Sequence, residues 1–303
     1  MDIYLPIAGQ SVNALLIVLL GFLVGVLSGM FGVGGGFLTT PLLIFYGIPP
    51  TVAVASAATQ ITGASVSGAM AHMRRGGVDM QMAGVMILGG LFGSIVGAAL
   101  FRLLQSSGQI DVVIGFMYVV ILTWIGGLML KDSLIALGYV AAKAPGEAPR
   151  RHNRWVASLP LRWRFYSSGL YISPVAPMAL GFLAGVLTVL LGIGGGFILV
   201  PAMIYLLGMP ARVVIGTSLV MILAVSAATT MVHSLTTRAV DVVLAALLLV
   251  GGVVGAQYGA VLTTRLKPDL LRLGLGIIIL LVALRVALGL AWRPSEIFSI
   301  EYL

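Results

Sequence analysis

Apolar residues run along this chain in long unbroken stretches, and short polar breaks divide them. Stretches beyond about 18 apolar residues are long enough to span a bilayer core, and they recur from end to end. The pattern predicts ten helical segments. Five lie over 12–31, 35–47, 51–73, 79–103 and 110–130, and five over 176–192, 195–208, 211–235, 240–264 and 269–291. The second segment of each set is short. About thirteen residues at ~1.5 Å each reach ~20 Å, less than a ~30 Å hydrocarbon core. It is expected to start within the membrane or to re-enter it. Asp2 is the only charge before Arg74, so the first stretch lacks a basic n-region and reads as a retained helix, not a signal peptide.

The two sets of five repeat one another. Phe31–Gly32–Val33–Gly34–Gly35–Gly36–Phe37 is followed by Pro41, Gly47 and Pro49. Leu191–Gly192–Ile193–Gly194–Gly195–Gly196–Phe197 is followed by Pro201, Gly208 and Pro210. Gly21-Phe22-Leu23 answers to Gly181-Phe182-Leu183, Val78-Asp79 to Val240-Asp241, and Gly89-Gly90 with Gly93 to Gly251-Gly252 with Gly255. Two apolar halves, each broken by glycines near its start, are the mark of a repeat-built transporter. The fold class expected is an all-α polytopic membrane protein. It has two homologous five-helix repeats in inverted relation, each with a short glycine-initiated second helix. The divisions are 1–130, a basic loop over 131–175, and 176–303. The alternative is eight spanning helices plus two re-entrant segments.

Composition narrows the class. Of 303 residues 60% are hydrophobic and 9% charged, too few charges to wet a soluble surface. There is no cysteine, which removes disulfides, thiolate chemistry and cysteine metal sites. Three scattered histidines, His72, His152 and His233, give no metal site, and no cofactor is expected. The net charge of +8 points at lipid rather than nucleic acid, because seven of the 17 basic residues sit in one loop: Lys131, Lys143, Arg150, Arg151, Arg154, Arg162 and Arg164. Trp155, Trp163, Phe165 and Tyr166 among them read as an interfacial segment at the lipid headgroups. Ten crossings with the N-terminus outside put thirteen basic residues inside against Arg102, Arg238 and Arg293 outside. The eight-crossing alternative separates eleven from five, so the ten-crossing arrangement follows the positive-inside rule better. Both place the loop in the cytoplasm of a bacterial cell inner membrane.

Helix N-termini bind anions, and glycine loops let an anion reach backbone N–H groups. Gly34, Gly35 and Gly36 open one short helix, and Gly194, Gly195 and Gly196 open the other. Inverted repeats bring these ends toward the midplane from opposite sides. They offer a small anion positive dipole ends without a full charge buried in lipid. Ser56, Gln60, Thr217 and Ser218 follow the short helices and are the side-chain candidates for substrate binding. Gln60 meets Ile222 in the repeat match, Ser56 meets Ser218, and Thr217 has only Ala55 opposite it, so the substrate is expected to lean on the second half. His72 and His233 each end a third segment, within one place of each other, and are the candidates for proton coupling. Asp79 and Asp241 begin the fourth segments and suit helix N-termini.

The runs FGVGGGFLTTPLLIFYGIPP and LGIGGGFILVPAMIYLLGMPARVVIGTSL resemble the signatures of the sulfite exporter TauE/SafE family, also called the sulfonate uptake permease family. The resemblance covers about residues 12–130 and 176–291. It implies a secondary transporter for sulfite or another small sulfur-containing anion such as an organosulfonate, in the direction of export. The absence of G-x-x-x-x-G-K-[ST] speaks against a nucleotide-driven pump. Two other readings stand beside it: a passive anion channel, and an intramembrane serine hydrolase built on Gly63-Ala64-Ser65-Val66 with His233 as base.

Overall fold

The computed structural model describes residues 2–31, 34–74, 76–136, 160–262 and 268–291. Lys143, Arg150, Arg151, Arg154, His152 and Trp155 of the basic loop lie outside the described residues. The chain opens with β1 (Asp2–Leu5) and β2 (Gln10–Asn13). Five helices follow: α1 (Ala14–Phe31), α2 (Gly36–Phe45), α3 (Pro50–Arg74), α4 (Met80–Ser106) and α5 (Ile110–Ala136). The second half repeats the order with β3 (Trp163–Phe165), β4 (Leu170–Ile172), α6 (Val175–Leu191), α7 (Gly196–Tyr205), α8 (Ala211–Thr236), α9 (Val242–Leu262) and α10 (Pro268–Ala291). Each of the ten expected segments is a helix, and the second and seventh are short.

Local chemistry sets the boundaries. Gly35 and Gly195 precede α2 and α7 at φ 74° and 71°, a backbone region that glycine enters freely. Pro41 and Pro201 stand at the sixth residue of these helices and remove one helical hydrogen bond each. Asp79 caps α4 by accepting from the Met82 N–H at 3.0 Å. Asp241 accepts from the Val243 and Leu244 N–H groups at 3.1 Å each, opening α9 the same way.

The expected 131–175 loop is corrected in two places. Residues 131–136 continue α5, and Trp163–Phe165 pairs antiparallel with Leu170–Ile172 as a hairpin. A matching hairpin, Asp2–Leu5 with Gln10–Asn13, precedes α1, so the all-α reading misses two small β elements. Phe165 is buried in the protein and does not lie at the headgroups. Trp163 and Tyr166 are exposed, with the Arg164 guanidinium 5.7 Å from the Tyr166 ring centre.

Glycine contacts fix the helix directions. Gly21, Gly25 and Gly29 of α1 meet Leu248, Gly252 and Ala256 of α9 in ascending order, so these helices run parallel. Gly89, Gly93 and Gly97 of α4 meet Met178, Phe182 and Val186 of α6 in the same way. Backbones approach so closely that a Cβ at Gly93 would overlap the Phe182 carbonyl oxygen. The pair α3 and α8 runs antiparallel, with Thr59 against Thr230 at 3.4 Å and Thr62 against Ser226 at 3.0 Å. The pair α5 and α10 is also antiparallel, since Gly115 meets Leu290 and Gly126 meets Ile279. At the centre the rings of Phe37 and Phe197 stack at 4.3 Å and 4°.

The outside of this bundle is apolar. Leu15, Leu19, Leu23, Phe92, Ile95, Phe116, Trp124 and Leu281 are all more than half exposed, as lipid-facing side chains are. Met80–Ser106, Ile110–Ile135, Val213–Thr236 and Val242–Gly259 are each long and apolar enough to cross a membrane. α3 is long as well, but it is rich in Ala, Ser, Thr and Gly and much of it is buried against other helices.

Candidate functional site

The two glycine loops come together in the interior. Gly34 and Gly194 both lie against Ile61 of α3 and Ile222 of α8, at 2.9–3.4 Å from the Cβ position that each glycine lacks. A Cβ at Gly36 would overlap the Gly192 carbonyl oxygen of the other loop. Gly34 to Gly36 and Gly194 to Gly196 are all buried. φ is 84° at Gly34 and 73° at Gly194, so two consecutive left-handed residues precede each short helix. Gly36 donates its N–H to the Gly34 carbonyl at 3.0 Å. Side chains on this backbone path would be both strained and obstructed: a Cβ at Gly35 would lie 2.9 Å from Val24 Cγ1, and one at Gly195 2.7 Å from Ala184 Cβ.

The first short helix carries polar residues that the second does not. Thr39 Oγ donates to Gln60 Oε1 at 2.8 Å, and both residues are buried. The Gln60 Nε2 side faces the glycine crossing at Gly252. Leu199 stands at the place of Thr39 in α7, so the missing glutamine partner in the second half is matched by a missing threonine. Thr39 escaped the sequence reading. The signal was there, since Thr39-Thr40 faces Leu199-Val200 in the repeat match.

Ser56 and Thr217 stand elsewhere. Ser56 Oγ accepts from the Asp241 N–H at 3.3 Å, and Thr217 Oγ1 accepts from the Asp79 N–H at 2.9 Å. Each hydroxyl therefore ties one half to the other at the start of a fourth segment. These reciprocal contacts pair Ser56 with Thr217, not with Ser218. Ser218 Oγ donates to Ile215 O at 2.9 Å in its own helix. The same spacing pairs Ile61 with Ile222, Gln60 with Met221, and His72 with His233. Both halves thus carry a hydroxyl at this place, and the second half's extra hydroxyl is Ser218, opposite Ala57.

His233 is fully buried. Its Nε2 meets the Val189 carbonyl at 3.0 Å and its ring stands edge-on to Phe101 at 4.8 Å. A carbonyl accepts only, so Nε2 carries the proton. Ser65 Oγ has no partner among the described residues, so Ser65 and His233 do not form the hydrogen-bonded pair that a serine hydrolase needs. His72 lies at the corresponding place on α3 and is half-buried. Among the described residues no three His, Asp or Glu side chains gather to hold a metal.

Comparison with known proteins decides the family. The model of the family described as sulfite exporter TauE/SafE matches residues 17–286. The chain belongs to this family. A "Probable membrane transporter protein" of Xylella fastidiosa (strain Temecula1) is 29% identical over 278 residues, covering 90% of this chain and 93% of that protein. The "Probable membrane transporter protein YjnA" of Bacillus subtilis (strain 168) is 29% identical over 276 residues, 89% of this chain and 98% of that one. "Sulfite exporter TauE/SafE family protein 1" of Arabidopsis thaliana is 26% identical over 144 residues, 45% of this chain and 32% of that one. No solved structure matches the chain. As a TauE/SafE member the chain is a multi-pass membrane transporter, and both glycine loops and both hydroxyl–aspartate ties lie inside the matched region.

Proposed function

We propose that this TauE/SafE chain is a secondary transporter that exports sulfite or a small organosulfonate across a bacterial inner membrane. The single observation carrying the site is the meeting of the two glycine loops around Ile61 and Ile222. Two helix N-termini point into one place from opposite halves, which suits a small anion that must bind and then leave. The family description supplies the sulfur chemistry. The antiparallel α3/α8 and α5/α10 pairs support an inverted repeat with ten crossings. Ser56 and Thr217 tie the two halves together at the starts of α9 and α4, Ser218 is held in its own helix, and Gln60 with Thr39 fixes the first turn of α2. His72 and His233 remain the residues through which a proton would couple; substitution of either should shift the pH dependence of flux.

Flux into proteoliposomes, compared for sulfite, thiosulfate, sulfoacetate and sulfate, tests the substrate. Gly35→Val and Gly195→Val test the site. A β-branched side chain at positive φ costs roughly 1–2 kcal/mol in strain before any clash. Both variants are expected in the membrane at normal amounts with no flux. Normal flux in both would place the anion elsewhere.

A further inference from the structure

Each half of the molecule ends its reach on the other half's hairpin. Asp79, almost fully buried between α3 and α4, spends one carboxylate oxygen on the α4 cap. Its other oxygen accepts from the Ser168 N–H at 3.0 Å and the Ser168 hydroxyl at 2.7 Å, at the turn of the β3–β4 hairpin. Asp241 does the same in reverse. Oδ1 serves the α9 cap, and Oδ2 accepts from the Ile7 and Ala8 N–H groups at 3.0 and 3.4 Å, at the turn of the β1–β2 hairpin. Apolar residues seat each hairpin over the end of its own short helix. Leu5 and Val12 share a cluster with Leu43, Ile48 and Leu244. Phe165, Leu170 and Ile172 share one with Met203, Leu207 and Met82.

The two seats lie at opposite ends of the molecule. Asp241 bonds to Ser56, the seventh residue of α3, and Asp79 to Thr217, the seventh residue of α8. Because α3 and α8 run antiparallel, their starts are at opposite ends. Both hairpins are down, and the glycine loops between them are buried.

We propose that the two hairpins are the gates of transport, each latched by the buried aspartate of the opposite half. Release of one latch opens one face to the glycine loops and, through the α3/α8 pair, tightens the closure of the other. The purpose rests on the transport reading, but the movement does not. A carboxylate is the right latch because its two oxygens serve two partners: one holds the helix cap in place, and the other lets go of the hairpin without unwinding the helix. The rigid α3/α8 pair connects the two nodes, through Ser56 at one end and Thr217 at the other. Asparagine at either aspartate would offer one acceptor where two sets of donors converge.

The test uses the full chain in nanodiscs, where a water-soluble maleimide reaches both faces, and needs no substrate. The chain has no native cysteine, so Leu5→Cys and Leu170→Cys, both buried beside the hairpin turns, report each gate alone. Asp241→Asn should speed labelling at Leu5→Cys about tenfold or more and slow it at Leu170→Cys. Asp79→Asn should do the reverse. No change in either variant, or a rise at both reporters together, overturns the proposal. A rise at one reporter with no fall at the other makes that hairpin an independent plug and also overturns it. If an asparagine variant does not fold, Ser168→Ala carries the test by removing only the hydroxyl bond. A rise of about threefold at Leu170→Cys with a fall at Leu5→Cys supports the gate, and unchanged rates sink it. Failure of the flux assay with intact reciprocal labelling would refute the substrate and leave the gates standing.

Discussion

The Gln60 side chain lies in a helix surrounded by apolar neighbours, and the Thr39 hydroxyl supplies the partner that such an amide requires. The second half has Leu199 and Met221 at these two places, an apolar pair of similar reach. This predicts strong coupling between the two positions. Gln60→Met alone leaves the Thr39 hydroxyl without its main partner, and Thr39→Val alone strands the amide oxygen. Each is expected to cost about 1–3 kcal/mol of stability. The double variant should recover most of that loss, because both polar groups are then gone. Unfolding in detergent, measured for all four members of the cycle, checks this; additive losses would break the pairing. The same residues show where sequence reading stops at this scale. Gln60 was visible as an uncompensated amide, but its hydroxyl partner, 21 positions away, was not. The pairing of Ser56 with Ser218 slipped by one place for a local reason. Asp79 and Asp241 differ by 162 positions, but His72 and His233 differ by 161, so an extra residue falls between the end of α8 and the start of α9. Carrying the aspartate spacing back into the helix shifted every hydroxyl.

Among the elements, glycine-bearing helices pack at two distinct depths. Gly93 of α4 faces the α6 backbone, and any Cβ there would overlap the Phe182 carbonyl. Gly84, about two and a half turns earlier in the same helix, has nothing within 4 Å of its Cβ position. Gly93→Ala is therefore expected to force α4 and α6 apart and to lower stability by about 1–3 kcal/mol. Gly84→Ala should leave stability unchanged or raise it by up to about 1 kcal/mol, the helix preference of alanine over glycine. Thermal unfolding of the two variants side by side tests this, and equal effects would contradict the crossing geometry. Helix extents were legible because apolar length and the glycine, proline and aspartate stops all act locally. The glycines that pack could not be told from those that do not, because that depends on the partner helix. The hairpins were missed because strands of three and four residues carry almost no periodicity. A trace existed all the same: Leu5, Gly9 and Val12 recur as Phe165, Gly169 and Ile172, at the spacing of the glycine triplets. Gly9 and Gly169 both hold positive φ in the hairpin turns.

For the whole molecule, helix direction favours one of the two arrangements that charge counting left close. If eight helices crossed and the short ones re-entered, the start of each half would lie on the same side of the membrane. The reciprocal ties from Asp241 to Ser56 and from Asp79 to Thr217, with α3 and α8 antiparallel, put the two hairpins at opposite ends. Arg74 and the hairpin bearing Arg162 and Arg164 are at the same end, because Asp79, five residues after Arg74, holds Ser168. By the positive-inside rule that end is expected to face the cytoplasm. Ser11 and Ser167 are exposed residues of the two hairpins, and neither lies in an aspartate latch. In intact bacterial cells with a permeable outer membrane, Ser11→Cys should react with an impermeant maleimide, and Ser167→Cys should react only after lysis. Reaction of neither before lysis would restore the eight-crossing arrangement, which puts both hairpins in the cytoplasm. Reaction of Ser167→Cys alone would keep the ten crossings but turn the molecule over, and the basic loop would then face away from the cytoplasm against its own charge. Orientation is thus the one property here that no contact inside the protein fixes. It depends on where seven basic residues settle relative to anionic lipid, a term of about 1 kcal/mol for each residue near the surface.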